Sequence, residues 1–185
     1  MKSVLISIRP EWCGLIASGK KTIEVRKTRP KIPAPFRCYI YQCLPKYSNW
    51  NDRDGMVIGE FVCDCVKTYP MDDFVGAKNF DGSIITEPKD GEFAYWIPEQ
   101  DMTCLSYNEI RTYGNGKTLY GWHISDLKIY DKPKELGSFW KAGKCPYAAE
   151  SGCTYEYHCF RAGQTQRCGE TLTRPPQSWC YVDAE

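Results

Sequence analysis

Gly19-Lys20-Lys21-Thr22-Ile23-Glu24-Val25-Arg26 sets a lysine, a glutamate and an arginine within six residues. Ile23 and Val25 alternate with Thr22, Glu24 and Arg26, the period of a strand, so Ile23 and Val25 are expected to face a core. Thr22, Glu24 and Arg26 would then share the opposite face, with Lys21 at the turn that opens the strand. Such a row can hold a polar ligand through Coulomb attraction and charge-assisted hydrogen bonds. An amphipathic strand with a solvated face carries the same pattern, so the surroundings decide between the two.

Upstream, Val4 to Arg9 alternates as a strand, and Pro10 suits the first turn of a helix that ends near Gly19. Downstream, Arg29-Pro30-Lys31-Ile32-Pro33-Ala34-Pro35 is a connector that cannot continue a central strand. Phe36 to Leu44 and Met56 to Thr68 are β-rich, with a polar loop from Tyr47 to Gly55 between them. Short helices are expected at Pro70 to Val75 and Ser106 to Tyr113, the second with Ser106 as N-cap and Glu109 three residues on. Residues 76 to 103 read as irregular. Tyr120 to Tyr130 reads as the closing strand, ended by Asp131-Lys132-Pro133. Strand, helix, strand and then mainly strands indicate an α+β fold rather than a doubly wound sheet.

In that setting the pattern Gly-x-Lys-x-x-Glu-x-Arg at Gly19, Lys21, Glu24 and Arg26 resembles the signature of ASCH domains. These belong to the PUA-like superfamily, small β-barrels associated with RNA and modified bases. Gly59-Glu60-Phe61 and Gly121-Trp122-His123-Ile124 resemble the barrel strands of phage-type ASCH proteins. The resemblance covers roughly residues 1 to 136. It implies a PUA-like β-pseudobarrel with short peripheral helices; residues 137–185, which the resemblance leaves unexplained, are expected from their cysteines to form a small extension packed on the barrel. It also implies a cleft that binds RNA or a modified nucleotide through Arg9, Lys21, Thr22, Glu24, Arg26, Trp122 and His123.

The bulk numbers bound these expectations. A hydrophobic content of 42% with 14% aromatics supports a real core. The net charge of +1 gives no global argument for nucleic acid, but the charge is uneven. From Lys20 to Arg37, Lys20, Lys21, Arg26, Lys27, Arg29, Lys31 and Arg37 are opposed only by Glu24. That local patch suits a phosphate backbone or an acidic partner, and equally a solvated loop. No segment approaches the roughly 20 apolar residues of a membrane span. Met1-Lys2-Ser3 leads into a strand without the apolar stretch of a signal peptide, so a cytoplasmic protein is expected. Eleven cysteines are many for that compartment, and their odd number precludes complete intrachain pairing.

Five of them, Cys145, Cys153, Cys159, Cys168 and Cys180, fall in the last third of the chain. Cys145-x7-Cys153-x5-Cys159 resembles the first three ligands of a CCCH zinc finger, although Gly163 stands where that family has histidine. The fourth ligand is open among Cys168, His158 and Cys180. Cys168 is preferred because its distance allows a return loop and four thiolates suit a tetrahedral structural zinc. A tail this poor in apolar runs needs a staple, which metal binding can supply; reduced cysteines packed as small hydrophobes are the alternative. The other six cysteines read as core or face residues, and Cys63-x-Cys65 on one strand would place both thiols on one face. Arg174-Pro175-Pro176 begins a stiff segment expected to dock back through Trp179 and Tyr181.

Some small ASCH proteins resemble amidohydrolases acting on N4-acylated cytidine, with the signature lysine, a threonine three residues later and a distant glutamate. Lys21 matches the lysine, Glu24 stands at the threonine position, and Glu60 is the candidate distant carboxylate. Other members resemble ribonucleases, in which Lys21 and Arg26 would stabilise phosphorane charge. A protein-interaction module of phage or mobile-element type is a third reading. Trp122 reads as base-stacking or as core. His123, facing opposite to Trp122 and Ile124, reads as a general acid or as a hydrogen-bonded barrel residue.

Overall fold

The structure, a computed structural model, describes residues 2–45, 51, 53–69, 77–78, 84–85, 100–142 and 171–183. It is α+β, mostly strand with three short helices among these residues. In chain order the elements are β1 (Lys2–Ile8), α1 (Pro10–Ala17), β2 (Ile23–Arg26), β3 (Phe36–Gln42), β4 (Met56–Cys63) and β5 (Val66–Tyr69). They continue with β6 (Ala77–Lys78), β7 (Ile84–Ile85), α2 (Gln100–Thr103), α3 (Tyr107–Gly114) and β8 (Leu119–His123). The chain ends with β9 (Ser125–Glu135), β10 (Trp140–Lys141) and β11 (Trp179–Asp183).

Two compact units share these elements. One is built from Met1–Cys13, Phe36–Phe61 and Lys128–Glu185, the other from Gly14–Pro35 and Val62–Leu127. A six-stranded sheet runs in the order β10-β11-β1-β3-β4-β9. Its middle strand β1 pairs parallel with β3, Val4 opposite Cys38, and antiparallel with β11, Val4 opposite Tyr181. A parallel pair needs a long connection, here α1, β2 and the proline-rich segment. Val4, Leu5, Ile6 and Ile8 are all buried, so β1 is covered on both faces. Leu5, Tyr39, Tyr41, Val57, Phe139, Leu172 and Val182 form the first unit's core. The expected docking of Trp179 and Tyr181 takes the form of a full strand beside β1. Ser7 secures its approach by donating from its hydroxyl to the Pro176 carbonyl at 2.7 Å, and from its N–H to the Ser178 carbonyl at 2.9 Å.

The second unit carries a sheet in the order β2-β8-β5 and a core of Ile23, Val25, Tyr69, Ile110 and Leu119. In register, Glu24 lies opposite Trp122 and Arg26 opposite Tyr120. Strands β6 and β7 pair as a separate two-stranded ladder. The strand ladders among the described residues are open sheets, and a closed barrel is not seen among them.

Four sequence expectations are corrected. The run from Met56 to Thr68 is two strands, because the chain leaves the ladder at Asp64 and Cys65; Cys63 is therefore buried and Cys65 exposed, not side by side on one face. The run from Tyr120 to Tyr130 also splits, at Ile124, whose N–H bonds the Thr22 carbonyl while β8 and β9 join different sheets. Pro133 does not end β9, since an edge strand has a free side that tolerates a residue lacking an N–H. The face shared by Glu24 and Arg26 is not solvated: all four residues of β2 are buried. The expected helix at 70–75 and the ligands Cys145, Cys153, Cys159 and Cys168 lie outside the described residues. No helix among the described residues is long and apolar enough to cross a membrane.

The N-terminus of α3 is as the sequence requires. The Ser106 hydroxyl accepts from the Glu109 N–H, and the Glu109 carboxylate accepts from the Ser106 N–H at 2.8 Å. The bonds from the Ser106 hydroxyl and then its N–H hold the Glu109 carboxyl below its ordinary value. Gly59 has a different reason to be glycine: a Cβ there would lie 2.5 Å from the Lys128 carbonyl oxygen. At Gly121 the obstacle is the Tyr69 ring, at 2.6 Å.

Two outcomes are expected from thermal or urea unfolding. Gly59→Ala destabilises by about 1–3 kcal/mol, because the obstruction is backbone and cannot step aside. Ser106→Ala costs about 1 kcal/mol. It also flattens the acid limb of stability: the Glu109 contribution is present above the unfolded value of about 4.5 and fades as pH falls through the lower folded value.

Candidate functional site

The strand β2 carries charge on one face, at Glu24 and Arg26, yet both faces are covered. Glu24 resolves this by pairing with two cations at once. Its Oε2 lies 3.4 Å from Lys21 Nζ and its Oε1 3.0 Å from an Arg26 terminal nitrogen. Lys21 is 2% exposed, Glu24 6% and Arg26 8%. Alternation accounts for Glu24 and Arg26 sharing a face, and the turn after α1 brings in Lys21, whose N–H bonds the Leu15 carbonyl. Lys21 Nζ also donates to the Thr103 carbonyl, and the Thr22 N–H donates to the Met102 carbonyl at 2.9 Å. The helix α2 is thereby seated on the cluster. Thr22 contributes its backbone on both sides, since its carbonyl also accepts from Ile124.

This arrangement concentrates ammonium and guanidinium donors around one carboxylate in a region shielded from water. There, interactions with an incoming anion or a base amino group would be stronger than at the surface. It is an expensive arrangement for stability alone, because apolar residues of similar volume often serve as well.

The other residues singled out from the sequence are placed differently. Trp122 is fully buried opposite Glu24, a core position with no face presented to solvent. His123, half exposed, places Nδ1 2.7 Å from Asp64 Oδ1, and its N–H bonds the Cys65 carbonyl. Arg9 and Glu60 belong to the other unit. Arg9 is exposed and pairs loosely with Glu11 at 3.8 Å. Glu60 accepts from the Tyr130 hydroxyl at 2.7 Å and lies 3.5 Å from Arg37. Burial and then that bond to Glu60 push the Tyr130 hydroxyl up, while Glu60 chiefly raises Arg37. No local pattern marks Thr103, Asp64, Arg37 or Tyr130 as partners, because the contacts span tens of residues.

Among the described residues no group of three or more His, Cys, Asp or Glu side chains could hold a metal. Burial pushes the Cys63 thiol up to about 12 and raises that of Cys180, so neither favours the thiolate.

A family model for the ASCH domain matches residues 6–125, a span that contains β2, α2, α3 and β8. The chain belongs to the ASCH domain family. Three solved structures share its fold. A Tyr→Phe variant of ZmASCH from Zymomonas mobilis is 22% identical, with 74% of this chain and 77% of that one covered and a TM-score of 0.50. ASCH from Zymomonas mobilis itself is 21% identical over 72% and 73%, with a TM-score of 0.51. A Ser→Ala variant of ZmASCH is 18% identical over 98% and 88%, with a TM-score of 0.56. No curated protein matches the chain.

Glu24 is expected to be the most sensitive member of the cluster. Glu24→Gln leaves two buried cations without their shared carboxylate and destabilises by about 3–5 kcal/mol in urea unfolding. The triple variant Lys21→Met/Glu24→Leu/Arg26→Met recovers most of that loss. A cost for Glu24→Gln below about 1 kcal/mol contradicts the shared pairing.

Proposed function

We propose that this ASCH protein binds RNA or a modified nucleotide, with Lys21, Glu24 and Arg26 as the recognition site. Lys21 and Arg26 contact phosphate, and Glu24 accepts hydrogen bonds from a base amino group. The family is generally associated with RNA binding. The observation that carries the assignment to this site is the burial of two cations around one carboxylate on a four-residue strand. A ligand acceptor would take the place of the Thr103 carbonyl on Lys21, so binding is coupled to the seating of α2.

Cytoplasmic location and a structural zinc on Cys145, Cys153, Cys159 and Cys168 are part of the same reading, supported by the sequence features alone. Hydrolysis of an acylated cytidine or of RNA is an outcome the test distinguishes, and service as a protein-interaction module of phage or mobile-element type is the reading that stands when wild type neither binds nor consumes any of the probes.

Cytidine monophosphate and a single-stranded RNA oligonucleotide are titrated against wild type, Lys21→Gln and Arg26→Gln, each first checked for native circular dichroism. Wild type is expected to bind both probes, and each variant to bind at least tenfold more weakly. Equal affinity in a folded Lys21→Gln variant rejects the site. Consumption of N4-acetylcytidine or of the oligonucleotide, lost in Lys21→Gln, reassigns it to a hydrolase.

A further inference from the structure

One residue past the buried cluster, the chain of β2 returns to the surface, and the side chains there differ in kind from those it has left. Lys27 and Arg29 are exposed. Each lies over a tyrosine: Lys27 Nζ is 4.8 Å from the centroid of the Tyr113 ring, and the Arg29 guanidinium carbon 5.7 Å from that of Tyr120. Tyr113 belongs to the last turn of α3 and is 37% exposed. Tyr120, the second residue of β8, lies directly opposite Arg26. Lys117, also exposed, sits in the turn joining α3 to β8, its N–H bonded to the Gly114 carbonyl. Three cations and two aromatic rings thus gather at the end of the sheet where β2 finishes and β8 begins. Among the described residues, no carboxylate forms an ion pair with Lys27, Arg29 or Lys117.

We propose that this edge is a track for single-stranded nucleic acid leading away from the Lys21–Glu24–Arg26 site. The phosphates lie on Lys27, Arg29 and Lys117, and the bases stack on Tyr113 and Tyr120. The proposal rests on the reading of the buried cluster as a nucleotide site and adds what the site extends to: a chain of several nucleotides rather than one. Magnitudes favour a ligand over a structural role. An exposed cation–π contact is weak and is offset by the rotamer freedom that a long side chain gives up to hold it. The two contacts are therefore close to neutral for folding and easily exchanged. When Lys27 or Arg29 turns to a phosphate, the ring it covered is released to a base, and stacking is tolerant of sequence. An acidic peptide would use the cations and leave the rings without a role.

The test uses a labelled oligocytidylate of about 12 nucleotides, within the span such grooves bind, and cytidine monophosphate, each titrated over a range of salt. The variant Lys27→Glu/Arg29→Glu is compared with Lys128→Glu/Lys132→Glu, which makes the same charge change on exposed residues of β9. The track predicts that the first variant lowers oligonucleotide affinity at least tenfold. It also reduces the slope of log affinity against log salt by about 1.4, two phosphate contacts at about 0.7 each. Cytidine monophosphate binding is unchanged, and the β9 variant behaves as wild type. Tyr113→Ala weakens the oligonucleotide at least about fivefold. Lys27→Gln/Arg29→Gln repeats the measurement should charge reversal disturb folding.

An unchanged slope, an equal loss in the β9 variant, parallel loss of the mononucleotide, or displacement of the oligonucleotide by polyglutamate at equal charge overturns the track. Wild type that binds the mononucleotide but not the oligonucleotide also overturns it and leaves the buried site standing. Binding of neither probe removes both.

Discussion

The carboxylate of Glu24 is the point on which the second unit turns. Two unit charges about 4 Å apart attract by about 4 kcal/mol at an effective dielectric of 20, while desolvation costs several kcal/mol per ion. Neither Lys21 nor Arg26 can be buried on those terms without a partner, and one carboxylate serves both. Because it does, β2 can be covered on both faces, Ile23 and Val25 can enter the core, and α2 can be fastened through Thr103 and Met102. The same residue that permits the packing concentrates the donors from which the function is inferred.

The first unit depends on residues far apart in the sequence. Its central strand β1 is flanked by β3, reached only after α1, β2 and the connector, and by β11, the last strand described. Val182, wholly buried, belongs to the same core as Leu5 and Tyr39. The stiffness of Arg174-Pro175-Pro176 delivers β11 in extended form, and the two bonds from Ser7 fix where it begins pairing. The proline-rich segment thus serves the chain's own sheet, seating β11 beside β1.

What could be read in advance was local. Ser106 and Glu109 announce the start of α3 because the capping box is complete within four residues. Pro10 opens α1 for the same reason. Alternation along β2 told which residues share a face, but not whether that face is covered. The covering comes from Trp122, about a hundred residues away, and Thr103, about eighty away, and no local pattern encodes them. The splits at Asp64 and Ile124 were invisible because β-propensity describes a strand's fit to a pleated surface, not which ladder it joins. Cys63 and Cys65 look paired by spacing, yet the strand ends between them. Gly59 and Gly121 stood out through resemblance, and their cause, a backbone and a ring at 2.5 and 2.6 Å, is purely tertiary.

The buried cluster and the exposed edge differ in what they can contribute to recognition. Exposed cations act through long-range, salt-screened attraction, which supplies affinity with little discrimination. Buried donors and acceptors discriminate, because a ligand that leaves one of them unmatched incurs its full desolvation penalty. Contacts to phosphate set position, and contacts to base edges set identity. Here the two kinds are adjacent along one run of chain, Glu24 and Arg26 buried within β2 and Lys27 and Arg29 exposed just past its end. On the proposed reading selectivity belongs to Glu24, the carboxylate of the cluster, whose position is fixed by the cations on either side and cannot shift to suit a different base.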